Sequence, residues 1–154
     1  MKIAIPSHKR TEQFKEKTLN LLKKHSFNPK DIYIFVSPES YDEYSNIFLD
    51  CNVILSKNNI LDTRNHIIEY FDEGEEIVEM DDDVEDIVHT IKEIKSTSVE
   101  DLQELFRDSF EKSKGGLWGM NATLTSNNFF ASGKDSFGIQ QVSIVNSCIG
   151  YTNI

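Results

Sequence analysis

Four short apolar runs, residues 3–6, 31–36, 51–55 and 76–80, alternate with segments of helical spacing, and this alternation narrows the folds open to the chain more than any other feature. The runs are rich in Ile, Val, Tyr and Phe and are too short for helices, so each reads as a buried strand. Residues 11–25 read as a helix with Phe14, Thr18, Leu21, Leu22 and His25 on one face and lysines over much of the rest. Asn28-Pro29 breaks the chain before the second strand. A short helix is expected over 38–48, with Tyr41, Tyr44 and Phe48 inward. Another is expected over 60–71, carrying Ile60, Arg64, Ile67, Ile68 and Phe71 at helical spacing and stopped by Gly74. Repeated strand–helix–strand order predicts an α/β fold, a Rossmann-like, mostly parallel sheet flanked by helices. In such sheets ligands sit beyond the carboxyl ends of the strands. The places to search are therefore the turns after Pro6, Val36, Leu55 and Met80.

The remainder is read with the same rules. Ser98 and Asp101 suggest a capping box for a helix over 99–114, with Val99, Leu102, Phe106 and Phe110 inward and Gly115-Gly116 ending it. Strands are expected over 117–124 and 139–149, with a polar loop over 126–137 between them. At 154 residues, with no internal repeat or linker, the chain fits a single domain, 1–154. A net charge of −10 argues against sequence-independent adhesion to nucleic acid or anionic lipid, because no basic excess exists to neutralise phosphates. Lys9, Arg10, Lys15, Lys17, Lys23 and Lys24 do cluster near the start, and read as a solvated helix face. No segment reads as a signal peptide or a membrane span, so no membrane partner is expected. Cys51 and Cys148 have no pairing motif and read as free thiols in a reducing, cytoplasmic setting. The sequon Asn121-Ala122-Thr123 then reads as coincidence.

The most informative of the four turns follows Met80, where the chain runs into Asp81-Asp82-Asp83. If the segment stays extended, Asp81 and Asp83 point together and Asp82 is opposed. Two carboxylates at a strand end suit a hard cation such as Mg²⁺ or Mn²⁺. Glu79, Glu85 and Asp86 add negative charge, and a divalent ion would relieve the repulsion and carry a diphosphate as its remaining ligand. Transfer from a nucleotide-sugar expels a nucleoside diphosphate, whose developing charge such an ion stabilises as a Lewis acid. Other acidic-loop readings fit poorly. An EF-hand starting at Asp81 would need glycine and glutamate where Asp86 and Lys92 stand. A phosphatase-type aspartate normally follows the first strand, no P-loop is present, and His8, His25, His66 and His89 lack zinc spacing.

At this point the sequence resembles a known family. Leu61-Asp62-Thr63-Arg64-Asn65-His66 followed by Ile77-Val78-Glu79-Met80-Asp81-Asp82-Asp83 resembles the core of GT-A glycosyltransferases of the family-2 type, which carry an Arg-Asn pair on a helix and then a strand ending in Asp-x-Asp. Arg64 precedes Asp81 by seventeen residues, similar to the family's gap. Ile5-Pro6-Ser7-His8-Lys9-Arg10 looks like the family's first strand and turn. The likeness covers residues 1 to about 90, the donor-binding core, with 91–154 as a remainder whose acceptor side is expected to be incomplete. There Gly116-Leu117-Trp118-Gly119-Met120-Asn121 and Asn128-Phe129-Phe130 look like small viral and phage glycosyltransferases, some associated with hydroxylated DNA bases.

The resemblance implies a metal-dependent transferase using a nucleotide-sugar, with a UDP-sugar as the expected donor. It implies that Pro6, Ser7 and Arg10 line the nucleotide pocket and that Arg64 reaches the base or diphosphate. Asp81 would contact ribose or metal, Asp82 would lie in the cofactor site, and Asp83 would bind Mn²⁺ or Mg²⁺ directly. Ser7 could equally cap the first helix, Arg10 could be solvated, and Arg64 could pair with Asp62 or Glu69. Family members place an aspartate after the second strand to hold the base, whereas this chain has Ser37-Pro38-Glu39, so the resemblance implies either that Glu39 is its substitute or that base selection differs. An inverting transferase also needs a general base near the acceptor. After Asp135 there is no acidic side chain, which leaves Asp135, beside Asp83, as the late catalytic candidate. The acceptor is open: a glycan, a protein or a modified nucleic-acid base. A homo-oligomer or a partner chain could supply the acceptor side, through an apolar surface around Val142, Ile144, Val145 and Ile149. Two other readings stand beside the transferase. One is a non-catalytic nucleotide-sugar-binding module. The other is a sugar-1-phosphate nucleotidyltransferase, which would want a Gly-rich turn after the first strand.

Overall fold

The computed structural model describes residues 1–91, 95–114, 116–120 and 148–154. Its strands are β1 (Lys2–Ser7), β2 (Ile32–Val36), β3 (Asn52–Leu55), β4 (Glu76–Met80), β5 (Val88–Ile91), β6 (Lys95–Ser98), β7 (Trp118–Met120) and β8 (Cys148–Thr152). Its helices are α1 (Thr11–Glu16), α2 (Thr18–Lys24), α3 (Pro38–Ile47), α4 (Ile60–Tyr70) and α5 (Leu102–Ser113). Six strands form one sheet in the order β3-β2-β1-β4-β8-β7, and β5 and β6 form a separate antiparallel pair. The pairings among β3, β2, β1 and β4 are parallel, while β8 runs antiparallel to β4 and β7 antiparallel to β8. The expected α/β class, a mostly parallel sheet flanked by helices, is what the chain adopts.

Alternation along the strands sorts the helices onto two faces. Ile3 and Ile5 of β1, Ile32, Ile34 and Val36 of β2, and Val78 and Met80 of β4 enter the larger core. There they meet Phe14, Leu21 and Leu22 of α1 and α2, Tyr44 of α3, and Leu102, Phe106 and Phe110 of α5. Ala4, Phe35 and Ile77 face the other way and pack on Ile67 and Phe71, at α4 and its end. Glu79 sits in β4 between Val78 and Met80, so alternation turns it toward the α4 side. The last turn of α4 is closed from far along the chain: the Asn153 side-chain amide donates to the Ile68 carbonyl at 3.1 Å and the Phe71 carbonyl at 2.5 Å.

The strand order places a topological switch between β1 and β4, because the chain moves from β1 outward to β2 and β3 and then returns to the other side of β1. The pairing there is also incomplete. β1 pairs with β2 through Ser7, opposite Val36, but with β4 only through Ala4, opposite Glu79. Pro6, which has no N–H to give a ladder, lies just past the last β4 partner. The two strands thus part at the switch, and their turns frame a crevice.

Several expectations are corrected. The single helix over 11–25 is two, parted at Lys17 (φ −102°, ψ −95°). Ser7 belongs to β1 and Arg10 stands at the N-cap of α1 without a side-chain cap, so Ser7 does not cap that helix. The expected helix over 99–114 begins at Leu102 with Asp101 alone as its cap, while Ser98 ends β6. The β5–β6 pair was not foreseen, since Val88–Ile91 and Lys95–Ser98 show neither apolar alternation nor a two-residue glycine turn. The strand expected over 117–124 is Trp118–Met120 where described; of the one expected over 139–149, residues 139–147 lie outside the described residues, and Cys148 and Ile149 open a strand that runs on to Thr152. The loop over 126–137, Asp135, Asn128, Val142, Ile144 and Val145 lie outside the described residues. β7 and β8 meet closely at Gly150, where an added Cβ would come within 2.2 Å of the Trp118 ring.

Candidate functional site

The acidic turn after β4 does not stay extended. The strand ends at Met80, and Asp82 and Asp83 already form a turn. The expectation that Asp81 and Asp83 share one side, opposed to Asp82, fails for this reason. Asp82 and Asp83 instead share one partner, Arg10, while Asp81 goes to Arg64.

Two arginines from different elements hold four carboxylates. Arg64 comes from α4. Its Nη2 donates to Asp81 Oδ1 at 2.9 Å, and its Nη1 donates to Glu79 Oε1. The pairing of Arg64 with Asp62 or Glu69, open from the sequence, does not occur among the ion pairs of the described residues. Arg10 comes from the turn after β1. Its Nη1 lies 3.3 Å from Asp82 Oδ1 and 3.6 Å from Asp83 Oδ2. Each arginine therefore joins a buried carboxylate to a more open one. Glu79 and Asp82 have side chains 4% and 7% exposed, against 33% for Asp81 and 43% for Asp83.

The two buried carboxylates differ in their other partners. Asp82 accepts from the Ser7 hydroxyl at 2.6 Å in addition to Arg10, so both its oxygens are engaged. Ser7 also lies 2.7 Å from the Tyr44 hydroxyl, which in turn accepts from the Arg10 backbone N–H at 3.1 Å. This buried network locks the turn after β1 to the turn after β4 across the switch. Glu79 has Arg64 as its one side-chain partner among the described residues. Burial pushes its carboxyl above the usual range, the Arg64 guanidinium pulls it down, and the Asp81 charge adds to the rise. Burial wins, because a 4%-exposed carboxylate loses more solvation than one half-exposed guanidinium returns. Nearby Tyr151 is likewise held well above the ordinary phenol range, by burial first and the Glu79 charge second.

Thr18, at the start of α2, was expected only as part of a helix face. Its hydroxyl donates to the Asp81 carbonyl at 2.8 Å and accepts from the Val84 N–H at 2.9 Å. Thr18 and Tyr44 read from the sequence only as inward helix positions, and Glu79 only as added negative charge near the turn. A glutamate inside an otherwise apolar strand was the available signal for Glu79.

Glu39 sits in a separate group at the carboxyl ends of β1 and β2. Lys9 Nζ lies 2.6 Å from Glu39 Oε2, His8 Nε2 lies 3.6 Å from Glu39 Oε1, and His8 Nδ1 lies 2.8 Å from the Ser37 hydroxyl. The Lys9 ammonium holds the Glu39 carboxyl below its ordinary value. Pro6 lies buried in β1 at the parting of the strands. No cluster of three or more His, Cys, Asp or Glu side chains able to hold a metal occurs among the described residues. Asp81 is half-buried and Asp83 exposed, and each has one oxygen facing an arginine. No helix among the described residues is long and apolar enough to cross a membrane. Cys51 is half-buried and Cys148 buried, and both are free thiols.

No family model matches the sequence, and no curated protein matches it. Among solved structures, the chain is similar to S. aureus TarS at a TM-score of 0.46 and 17% identity, over 81% of this chain and 23% of that one. The chain thus spans about a quarter of the length of that protein, and the likeness is too slight to assign an activity.

Proposed function

We propose that the chain binds the diphosphate of a nucleotide-sugar at the carboxyl ends of β1 and β4, and acts as the donor-binding part of a metal-dependent glycosyltransferase. The observation that carries this reading is the meeting of Arg10, Arg64 and the Asp81-Asp82-Asp83 turn at the topological switch of the sheet. Open α/β sheets take their ligands at that place. A glycosyl transfer needs there cationic groups for phosphate and carboxylates for a cation, and both are present.

The donor set suits Mg²⁺ or Mn²⁺. Such ions are commonly held by one or two carboxylates, with substrate phosphates and water completing the shell. Asp83, the exposed carboxylate of the turn, would supply one ligand, and Asp81, which faces Arg64 and not Arg10, would supply the second on turning from that arginine. The ion supplies Lewis-acid stabilisation of the charge on the departing diphosphate. The remaining roles belong to the chain. Arg64 and Arg10 are half-exposed, and a guanidinium can exchange a carboxylate for phosphate oxygens while keeping its planar, two-pronged geometry. Ser7, Asp82 and Tyr44 keep the two turns in register. Glu79 anchors Arg64 from inside the sheet. Pro6 keeps β1 free of β4 at the crevice, and Glu39, tied to Lys9 and His8 beside it, is our candidate for contact with the base of a UDP-sugar. Asp135 remains the candidate general base toward the acceptor, whether glycan, protein or modified nucleic-acid base. A second copy or a partner chain could complete that side.

Thermal melts with Mn²⁺, with a panel of nucleoside diphosphates, and with both together test the reading. The expected outcome is a midpoint that rises only with nucleotide plus metal, by about 2.7 kcal/mol of added stability at a hundredfold excess over the dissociation constant. Asp83→Ala should remove the rise. No rise with any nucleotide, with or without metal, overturns the proposal.

A further inference from the structure

The first helix is interrupted where it meets the acidic turn, and the interruption has a consequence for the site. Phe14 and Leu21–Leu22, on either side of it, enter the same core, so nothing in the apolar pattern calls for a break between them. At the break, Lys17 takes a backbone ψ of −95°, far from the helical value, while its N–H still donates to the Gln13 carbonyl and its carbonyl still accepts from the Leu21 N–H. The distortion is therefore local.

It brings three contacts to one short stretch of chain. The Thr18 side chain is fully buried. Its hydroxyl gives its proton to the Asp81 carbonyl at 2.8 Å and takes the Val84 N–H at 2.9 Å. A hydroxyl has one proton to give and lone pairs to accept with, so Thr18 serves both ends of the turn at once. One residue earlier, Lys17 Nζ lies 2.7 Å from Glu85 Oε1. The residues spanned between the two points that Thr18 holds, Asp81 to Val84, contain the half-buried Asp81 and the exposed Asp83. Their direction depends on the path of the backbone between those points.

We infer that Thr18 is a positioning residue: through its paired hydrogen bonds it sets the acidic turn in the conformation that binds ligand. The inference rests on the function proposed above and adds a residue and a device to it. Thr18, fully buried, acts through the Asp81 carbonyl and the Val84 amide. Lys17 supports it from the surface, with an ion pair open to solvent and correspondingly weak.

The test is calorimetric titration of UDP in the presence of Mn²⁺ into the wild type, Thr18→Val and Thr18→Ser, at a temperature where circular dichroism shows each variant folded. Valine keeps the shape and removes both hydrogen bonds, while serine keeps the hydroxyl. Thr18→Val should weaken binding about tenfold or more, the size expected when a buried polar pair is left unmet at the point that orients the ligands. Thr18→Ser should remain within about threefold of wild type. Hydrogen exchange should show the Val84 amide losing protection in Thr18→Val and keeping it in Thr18→Ser, a change that general loss of stability would spread over every amide. A folded Thr18→Val with unchanged affinity overturns the inference and leaves the proposed function standing. Wild type that binds no UDP with Mn²⁺ overturns both. Should Thr18→Val fail to fold, Thr18→Cys, whose thiol keeps the volume and bonds far more weakly, takes its place, and unchanged affinity there overturns the inference in the same way.

Discussion

The two arginine clamps of the acidic turn are alike in plan and unlike in support. Arg64 joins buried Glu79 to half-buried Asp81, and Arg10 joins buried Asp82 to exposed Asp83. Asp82, however, has a second donor in Ser7, and Ser7 and the Arg10 backbone are both tied to Tyr44. Among the described residues Glu79 has Arg64 alone. The Arg10 side is thus a network that survives the loss of a member, and the Arg64 side is a single contact on which a buried charge depends. The inner carboxylates belong to the framework, and the outer pair, Asp81 and Asp83, is what the framework presents.

Breaking the weaker side should do the most harm. Arg64→Met leaves the Glu79 carboxylate buried with no partner, a loss of about 3 kcal/mol at neutral pH, measured by urea unfolding. The penalty should shrink in acid, where Glu79 escapes it by protonation. Arg64→Met with Glu79→Gln should recover much of the loss, since a neutral amide costs far less to bury. Arg10→Met removes one of two donors to Asp82, and about 1 kcal/mol is expected by the same measurement. Equal losses at the two arginines would erase the distinction drawn here.

The smallest effect concerns pH. Glu79 titrates higher in the folded chain than in the unfolded one, because burial outweighs Arg64. Between the two values the folded state binds more protons, so stability falls as pH rises through that window. Below the unfolded value both states are protonated and the group contributes nothing to the slope. Glu79→Gln should therefore gain on wild type as pH rises from the carboxylate range to neutrality, measured as the difference in unfolding free energy at the two ends. A difference of the opposite sign would mean that Arg64 outweighs burial.

The strand–helix alternation was legible because each element carries its own apolar signature, as in Ile32–Val36 or Glu76–Met80. The arginine and aspartate landmarks were legible too, as residue types at a spacing. What was not legible depends on partners distant in sequence. The break at Lys17 is invisible in residues 11–25, because the groups that Thr18 binds stand more than sixty positions later. The directions of Asp81 and Asp83 were misjudged because alternation holds only while a strand continues, and this one stops at Met80. The antiparallel docking of Cys148–Thr152 on β4 is a non-local pairing, and its apolar run fixed neither its direction nor its neighbour.

The central claim is that a divalent ion and a diphosphate bind together at the switch between β1 and β4. Paramagnetic broadening by Mn²⁺ in an amide NMR spectrum, recorded with and without UDP, tests it directly. With UDP present, the amides of Ser7 to Arg10 and of Glu79 to Val84 should broaden first, at Mn²⁺ levels that leave the rest of the spectrum intact. Broadening centred elsewhere, for instance at Glu100 and Asp101 before α5, or unchanged by UDP, would contradict the account.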